Sequence, residues 1–275
     1  MSKLFLGLIT RCKDEFFIKE FCDYYISQGV DKIYIIDDNS DDKSIYDNIK
    51  DEKVAVVYEN NIFVNQHQMS AVNKIFNKIR QDFEWLISVD VDEFITTKKN
   101  IDNTIREELQ LTFNNIDCVK IPWVMMSCNK LQKNPESVLQ TNIYRWNHDK
   151  KHPHPVNKFR CRYNQIEVKC IFKCSKFDFI DVHHPSRLVG DCVIVDSIRC
   201  QKQNIDSFYD NLRENDIKNG YLLCYHYRII SRENNANKLK KAQYLKFTLD
   251  DLMKSDHPEV SDKTLKIKTQ QHNYK

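Results

Sequence analysis

Asp90, Asp92 and Glu93 close a short apolar run, Trp85-Leu86-Ile87-Ser88-Val89, within the stretch from Trp85 to Ile95. The run is β-branched and aromatic, so it reads as a buried strand. Side chains alternate along an extended backbone, which would send Asp90 and Asp92 to the same side. Two like charges at the end of a buried strand are costly unless a cation lies between them. All-oxygen ligation suits Mg²⁺ or Mn²⁺; Mg²⁺ takes one or two protein carboxylates and fills its sphere with water and phosphate oxygens. The competing reading is a solvated strand end opening a loop. The buried lead-in and the polar clusters ending the neighbouring strands weigh against it.

The elements that would position these carboxylates follow from periodicity. Leu4 to Thr10, Lys32 to Ile36, Val54 to Tyr58 and Trp85 to Val89 read as strands. Between them lie a helix opened by Asp14-Glu15, with Phe17, Ile18, Phe21, Cys22 and Tyr25 at helical spacing and Gly29 as its stop, and a helix from Gln66 to Ile79. A short helix capped by Asp41 or Asp42 follows the second strand. Such alternation predicts an α/β fold with a mostly parallel sheet. Ligands bind outside the carboxyl ends of such strands. Arg11-Cys12-Lys13-Asp14, Asp37-Asp38 and Asp90-Val91-Asp92 all fall there.

The second half is less regular. Cys118 to Met126 reads as an edge or bent strand because Pro122 lies inside it. Ile143 to Trp146, Phe159 to Tyr163, Glu167 to Cys174 and Phe177 to Val182 read as short strands. Ile101 to Leu111 and Ile205 to Ile217 read as helices. Leu222 to Ile230 is apolar and carries His226 and Arg228. Ser231 caps a last helix reaching about Lys246, whose Lys238, Lys240, Lys241 and Lys246 read as a solvated face. The organisation expected is one domain over 1–250, with a nucleotide-binding half to 95 and an acceptor-side half after it. Residues 251–275 read as a polar tail, mobile from His257 onward.

Composition narrows the function. Net charge is +3 with 29% charged residues, which points to no nucleic-acid partner. Only 4 glycines are present and no Gly-rich phosphate loop is found, so metal and side chains must hold any diphosphate. No apolar run reaches about 18 residues, so no transmembrane helix is expected. Without a recognisable leader, the 10 cysteines read as free thiols of a cytoplasmic protein, a setting that suits a viral or bacterial source. Cys170 and Cys174 only approximate a zinc-binding pair and read as strand core.

These segments resemble nucleotide-sugar glycosyltransferases of the GT-A fold, and more narrowly glycosyltransferase family 92 and its family-2-like relatives. The resemblance runs through Lys13-Asp14-Glu15, Gly29-Val30, Ile35 to Asp41, Gln66 to Asn73, Trp85 to Phe94, Lys158 with Arg160 and Arg162, His183-His184, and His226-Tyr227-Arg228 followed by Ser231 and Glu233. It implies a Rossmann-like mostly parallel sheet with flanking helices and an irregular acceptor-side half. It also implies inverting transfer of a sugar, commonly from a UDP-sugar, to a hydroxyl on a glycan or glycoprotein with Mn²⁺ or Mg²⁺. In that reading Asp92 ligates the metal, Asp90 contacts the ribose or a metal-bound water, and Asp37 or Asp38 sits near the uracil and ribose. Arg11 lines the nucleotide pocket, and a late histidine, His184 or His226, completes the metal sphere. A nucleotide-sugar or glycan binder without turnover is the alternative, since fold does not guarantee activity.

The residue types suit that chemistry in their own right. Breaking a nucleotide-sugar bond builds negative charge on the departing diphosphate, which a divalent cation neutralises. Lys158, Arg160 or Arg162 could add positive charge there. The acceptor hydroxyl needs a base, with Glu167, Asp178, Asp181 and Asp191 as candidates and Asp181 and Asp191 the leading pair. His226 admits two readings, a satisfied core imidazole or a metal or phosphate contact.

Overall fold

The computed structural model describes residues 3–59, 67–152, 165–241 and 248–272. Gln66, His154, Lys158, Arg160, Cys161, Arg162 and Lys246, and the strand expected at Phe159 to Tyr163, lie outside the described residues.

The first half alternates as its periodicity requires. Strand β1 (Leu4–Cys12), helix α1 (Ile18–Ser27), β2 (Lys32–Asp37), β3 (Val54–Tyr58), α2 (His67–Ile79) and β4 (Phe83–Ser88) follow in order. Then come β5 (Glu93–Thr97), α3 (Ile105–Leu111), β6 (Cys118–Ser127), α4 (Val138–Thr141), β7 (Tyr144–Arg145) and β8 (Gln165–Lys173). The rest comprises β9 (Phe177–Ile180), β10 (Pro185–Leu188), β11 (Ile194–Asp196), β12 (Gln201–Lys202), β13 (Phe208–Asp210), α5 (Glu214–Asn219) and β14 (Leu222–His226). Helices α6 (Arg232–Lys241) and α7 (Leu249–Met253), strand β15 (Val260–Ser261) and helix α8 (Thr264–His272) end the chain.

The main sheet runs β12-β11-β6-β8-β4-β1-β2-β3. All of these strands but β8 and β12 point the same way, giving the expected α/β architecture. Helix α1 covers one face over Leu6, Leu8, Ile33 and Ile35. Helix α2 covers the other with Val72, Ile75 and Phe76 over Ile9, Leu86 and Phe172. Gly29 ends α1 at φ +89°, and a Cβ there would stand 2.7 Å from Arg106 Cβ, so a side chain is excluded on both counts.

Three expectations are corrected. Strand β6 is buried along its whole length and is no edge. Pro122 is tolerated because one flank of β6 changes partner around it, from β11 at Lys120 to β14 at Trp123, where no ladder donor is needed. The helix expected over Ile205 to Ile217 is instead β13, a turn with Asn211 at φ 53°, and α5. Pairing of Phe208 with Glu167 on β8 overrides the helical spacing of its apolar residues. The segment beyond His257, expected to be mobile, docks: β15 pairs with β7, Leu265 is buried, and Asp262 bonds Lys98, Arg145 and Tyr225.

Candidate active site

The parallel strands deliver their polar ends to one edge of the sheet. β1 delivers Arg11, β2 delivers Asp37 and Asp38, and β4 runs into Asp90 to Asp92 before β5 begins. The carboxylates do not continue the strand. Asp90 to Glu93 form a tight turn, with Glu93 N donating to Asp90 O (3.0 Å) and Asp90 N to Glu93 Oε2 (2.8 Å). The turn gives Asp90 and Asp92 separate partners.

Asp90 accepts from Arg11 Nη2 (3.2 Å) and Lys169 Nζ (3.0 Å). Burial alone would raise its pKa, but Lys169 and Arg11 outweigh it and hold the carboxyl well below its usual range. Lys169 also reaches Glu93 Oε2 (3.2 Å) and donates to Val182 O (2.9 Å). Glu93 is wholly buried, and burial pushes its pKa up despite Lys169.

Asp92 faces the late chain. Its Oδ1 lies 3.7 Å from His226 Nε2, and its Oδ2 accepts from Lys238 Nζ (2.9 Å). Lys238 also lies 3.6 Å from Glu15 Oε1. Trp123 packs on His226 at 4.1 Å between centroids and meets the His183 ring edge-on at 5.4 Å. Burial pulls the His226 imidazole down to about 3, against the attraction of Asp92, so it is neutral and has a lone pair to offer.

The other expected residues divide. Asp38 stands beside Arg11, 4.0 Å away. Asp37 turns inward and accepts from Tyr46 OH (2.7 Å) and Ser40 N (3.3 Å), so it braces the loop after β2. His184 bonds Pro185 O and makes no described contact with Asp92; its neighbour His183 is the histidine beside Trp123. Asp181 is at the tip of the β9–β10 hairpin, next in chain to the Val182 carbonyl that Lys169 holds. Asp191 is exposed and precedes β11 at the strand-start edge, opposite the Asp90 end, because Ile194 pairs with Cys118. Asp178 pairs with Arg80, and Glu167 lies 3.3 Å from His183 Nε2.

Residues 13–265 match the sequence profile described as glycosyltransferase family 92. The chain belongs to that family. It is a glycosyltransferase, and a sugar donor and an acceptor are therefore its substrates. No curated protein sequence matches the chain. Among solved structures, a putative glucose-1-phosphate thymidylyltransferase from Bacillus anthracis is similar at 9% identity and TM-score 0.36, over 62% of this chain and 72% of that one. 4-Diphosphocytidyl-2C-methyl-D-erythritolsynthase from Anaerococcus prevotii is similar at 11% identity and TM-score 0.33, over 78% of this chain and 94% of that one. No described helix is long and apolar enough to cross a membrane.

The cluster at the carboxyl ends of the strands offers few donors to a divalent cation. Among the described residues no group of three or more His, Cys, Asp or Glu side chains converges. The donors offered are Asp92 and neutral His226, whose Nε2 lies 3.7 Å from Asp92 Oδ1. One carboxylate and one imidazole, completed by diphosphate and water, is a donor set that Mn²⁺ or Mg²⁺ accepts. Asp90 is already claimed by two cations and fits ligation less well.

Lys169 and Lys238 are the residues of the candidate site that the sequence reading did not place there. A charged residue central in the apolar strand Glu167 to Cys174 was the available sign for Lys169. Lys238 had none, because a basic helix face usually points to solvent.

Proposed function

We propose that this family-92 enzyme moves a sugar from a UDP-sugar to a hydroxyl on a glycan or glycoprotein, with inversion, using Mn²⁺ or Mg²⁺. The observation that carries the reading is the approach of neutral His226 to Asp92 at the carboxyl ends of the parallel strands. These two residues would hold the cation. When bound, it would supply Lewis-acid neutralisation of the departing diphosphate.

The chain's own residues do the rest. Arg11 and Lys169 keep Asp90 ionised as an acceptor for the ribose hydroxyls or for water. Asp38 and Arg11 flank the nucleotide, and the Arg11 guanidinium can turn to phosphate oxygens. Inversion needs a base on the acceptor side; Asp181 takes that role, beside the Val182 carbonyl that Lys169 holds.

Thermal stability against nucleotides tests the donor site, because a ligand that binds the native state raises the melting temperature. A shift with UDP or a UDP-sugar that requires Mn²⁺ and disappears in Asp92→Ala supports the reading. A folded protein that shifts with no nucleotide contradicts it and favours a non-catalytic glycan binder.

A further inference from the structure

Helix α6 carries its basic residues in the pattern of a solvated face, yet one of them is turned into the site. Lys238 Nζ stands 2.9 Å from Asp92 Oδ2 and 3.6 Å from Glu15 Oε1, with 28% of its side chain exposed. The start of the helix is pinned. Ser231 Oγ accepts from Asn234 N (2.9 Å) and donates to Asn134 Oδ1 (2.6 Å), and Arg232 N and Glu233 N donate to Leu131 O and Gln132 O. The ammonium is thus brought to Asp92 by a fixed helix on a flexible four-carbon stem.

This arrangement leaves one Asp92 oxygen on Lys238, while the other lies 3.7 Å from the neutral His226 Nε2. An ammonium and a divalent cation at the same carboxylate repel each other, so they compete for it. A nucleoside diphosphate bound beside Asp92 would change that balance, because its phosphates would offer the ammonium a second anion.

We propose that Lys238 is an internal counter-ion that reserves Asp92 in the donor-free enzyme, so that the divalent cation binds together with the nucleoside diphosphate rather than ahead of it. The inference rests on the reading of Asp92 and His226 as the cation's protein ligands. Lys238 is a positioning residue in this scheme: it acts through Asp92 until the diphosphate arrives.

Free Mn²⁺ measured by electron paramagnetic resonance, with and without UDP, tests this without reference to turnover. Wild-type protein is expected to bind Mn²⁺ weakly alone and at least about tenfold more tightly with UDP, a coupling that is reciprocal. Lys238→Met should bind Mn²⁺ alone about tenfold more tightly than wild type and show a smaller gain on adding UDP. Lys238→Arg keeps the charge and should restore the wild-type order. Lys238→Gln serves in place of Lys238→Met if the latter does not melt cooperatively. Mn²⁺ affinity in the neutral variants that equals or falls below wild type overturns the proposal. Mn²⁺ binding to neither protein, even with UDP, overturns the Asp92–His226 cation site itself, which is a separate result.

Discussion

Removing the Lys169 ammonium should destabilise the protein in a pH-dependent way. Its side chain is 3% exposed and bridges Asp90 and Glu93 at 3.0 and 3.2 Å. Asp90 loses one of its two cations in Lys169→Met but is 38% exposed and keeps Arg11 at 3.2 Å, so it suffers less than Glu93. Glu93 is different: it is wholly buried, and among the described residues Lys169 is its ion-pair partner. Stranding one member of a buried pair costs about 3–5 kcal/mol. At about 2–4 °C per kcal/mol, the melting temperature should fall by roughly 6–20 °C. Burial already raises the Glu93 pKa and Lys169 opposes it, so the substitution raises it further. A folded-state pKa above the unfolded value of about 4.3 gives stability that is full below that value and lost as pH rises through the folded one. The deficit should therefore be larger near about pH 8 than near about pH 5. Urea unfolding at both pH values measures it, and Glu93→Gln in the same background should recover about 1–3 kcal/mol of coupling. A deficit under about 1 kcal/mol at the higher pH, or one unchanged by Glu93→Gln, would refute the reasoning.

Two further perturbations follow from the same geometry. Burial would raise the Asp262 carboxyl, but Lys98, Thr264 and Arg145 bring it down to about 2, and its side chain is 3% exposed. The depressed pKa gives stability that is present above the unfolded value of about 3.9 and lost as pH falls toward the folded one, in total about 2–3 kcal/mol. Acid unfolding of wild type against Asp262→Asn should show this slope flattened, and limited proteolysis should cut the variant first near α8. Arg11→Ala should raise KM for the donor about tenfold with a smaller change in kcat, since Arg11 supports ground-state binding through Asp90 and Asp38. A kcat loss with unchanged KM would assign it to the transition state instead.

Periodicity made the first half legible. Its strands and helices alternate with distinct repeats, and the carboxyl-end rule then gathers Arg11, Asp37-Asp38 and Asp90 to Asp92, though not the turn that gives Asp90 and Asp92 separate partners. Family resemblance added His226. The remaining features depend on partners far away in the chain. Lys169 meets Asp90 across 79 residues and Lys238 meets Asp92 across 146, and no local pattern encodes either meeting. Pro122 misled because one flank of β6 changes partner at that point, from β11 to β14. Ile205, Phe208, Tyr209 and Leu212 have helical spacing, but pairing with β8 captures Phe208 and Tyr209 as a strand. The tail is polar in composition, yet Asp262 finds a buried arginine and a lysine to pair with, which composition alone does not show.

The most direct test of the account is product analysis of the purified chain with a panel of UDP-sugars and a glycan acceptor, with Mn²⁺ or with chelator, alongside Asp92→Asn. The account predicts release of UDP and transfer of the sugar that need the divalent cation and fall by at least about a hundredfold in the variant. Release of pyrophosphate in place of UDP, or sugar transfer unaffected by both chelator and Asp92→Asn, would contradict it.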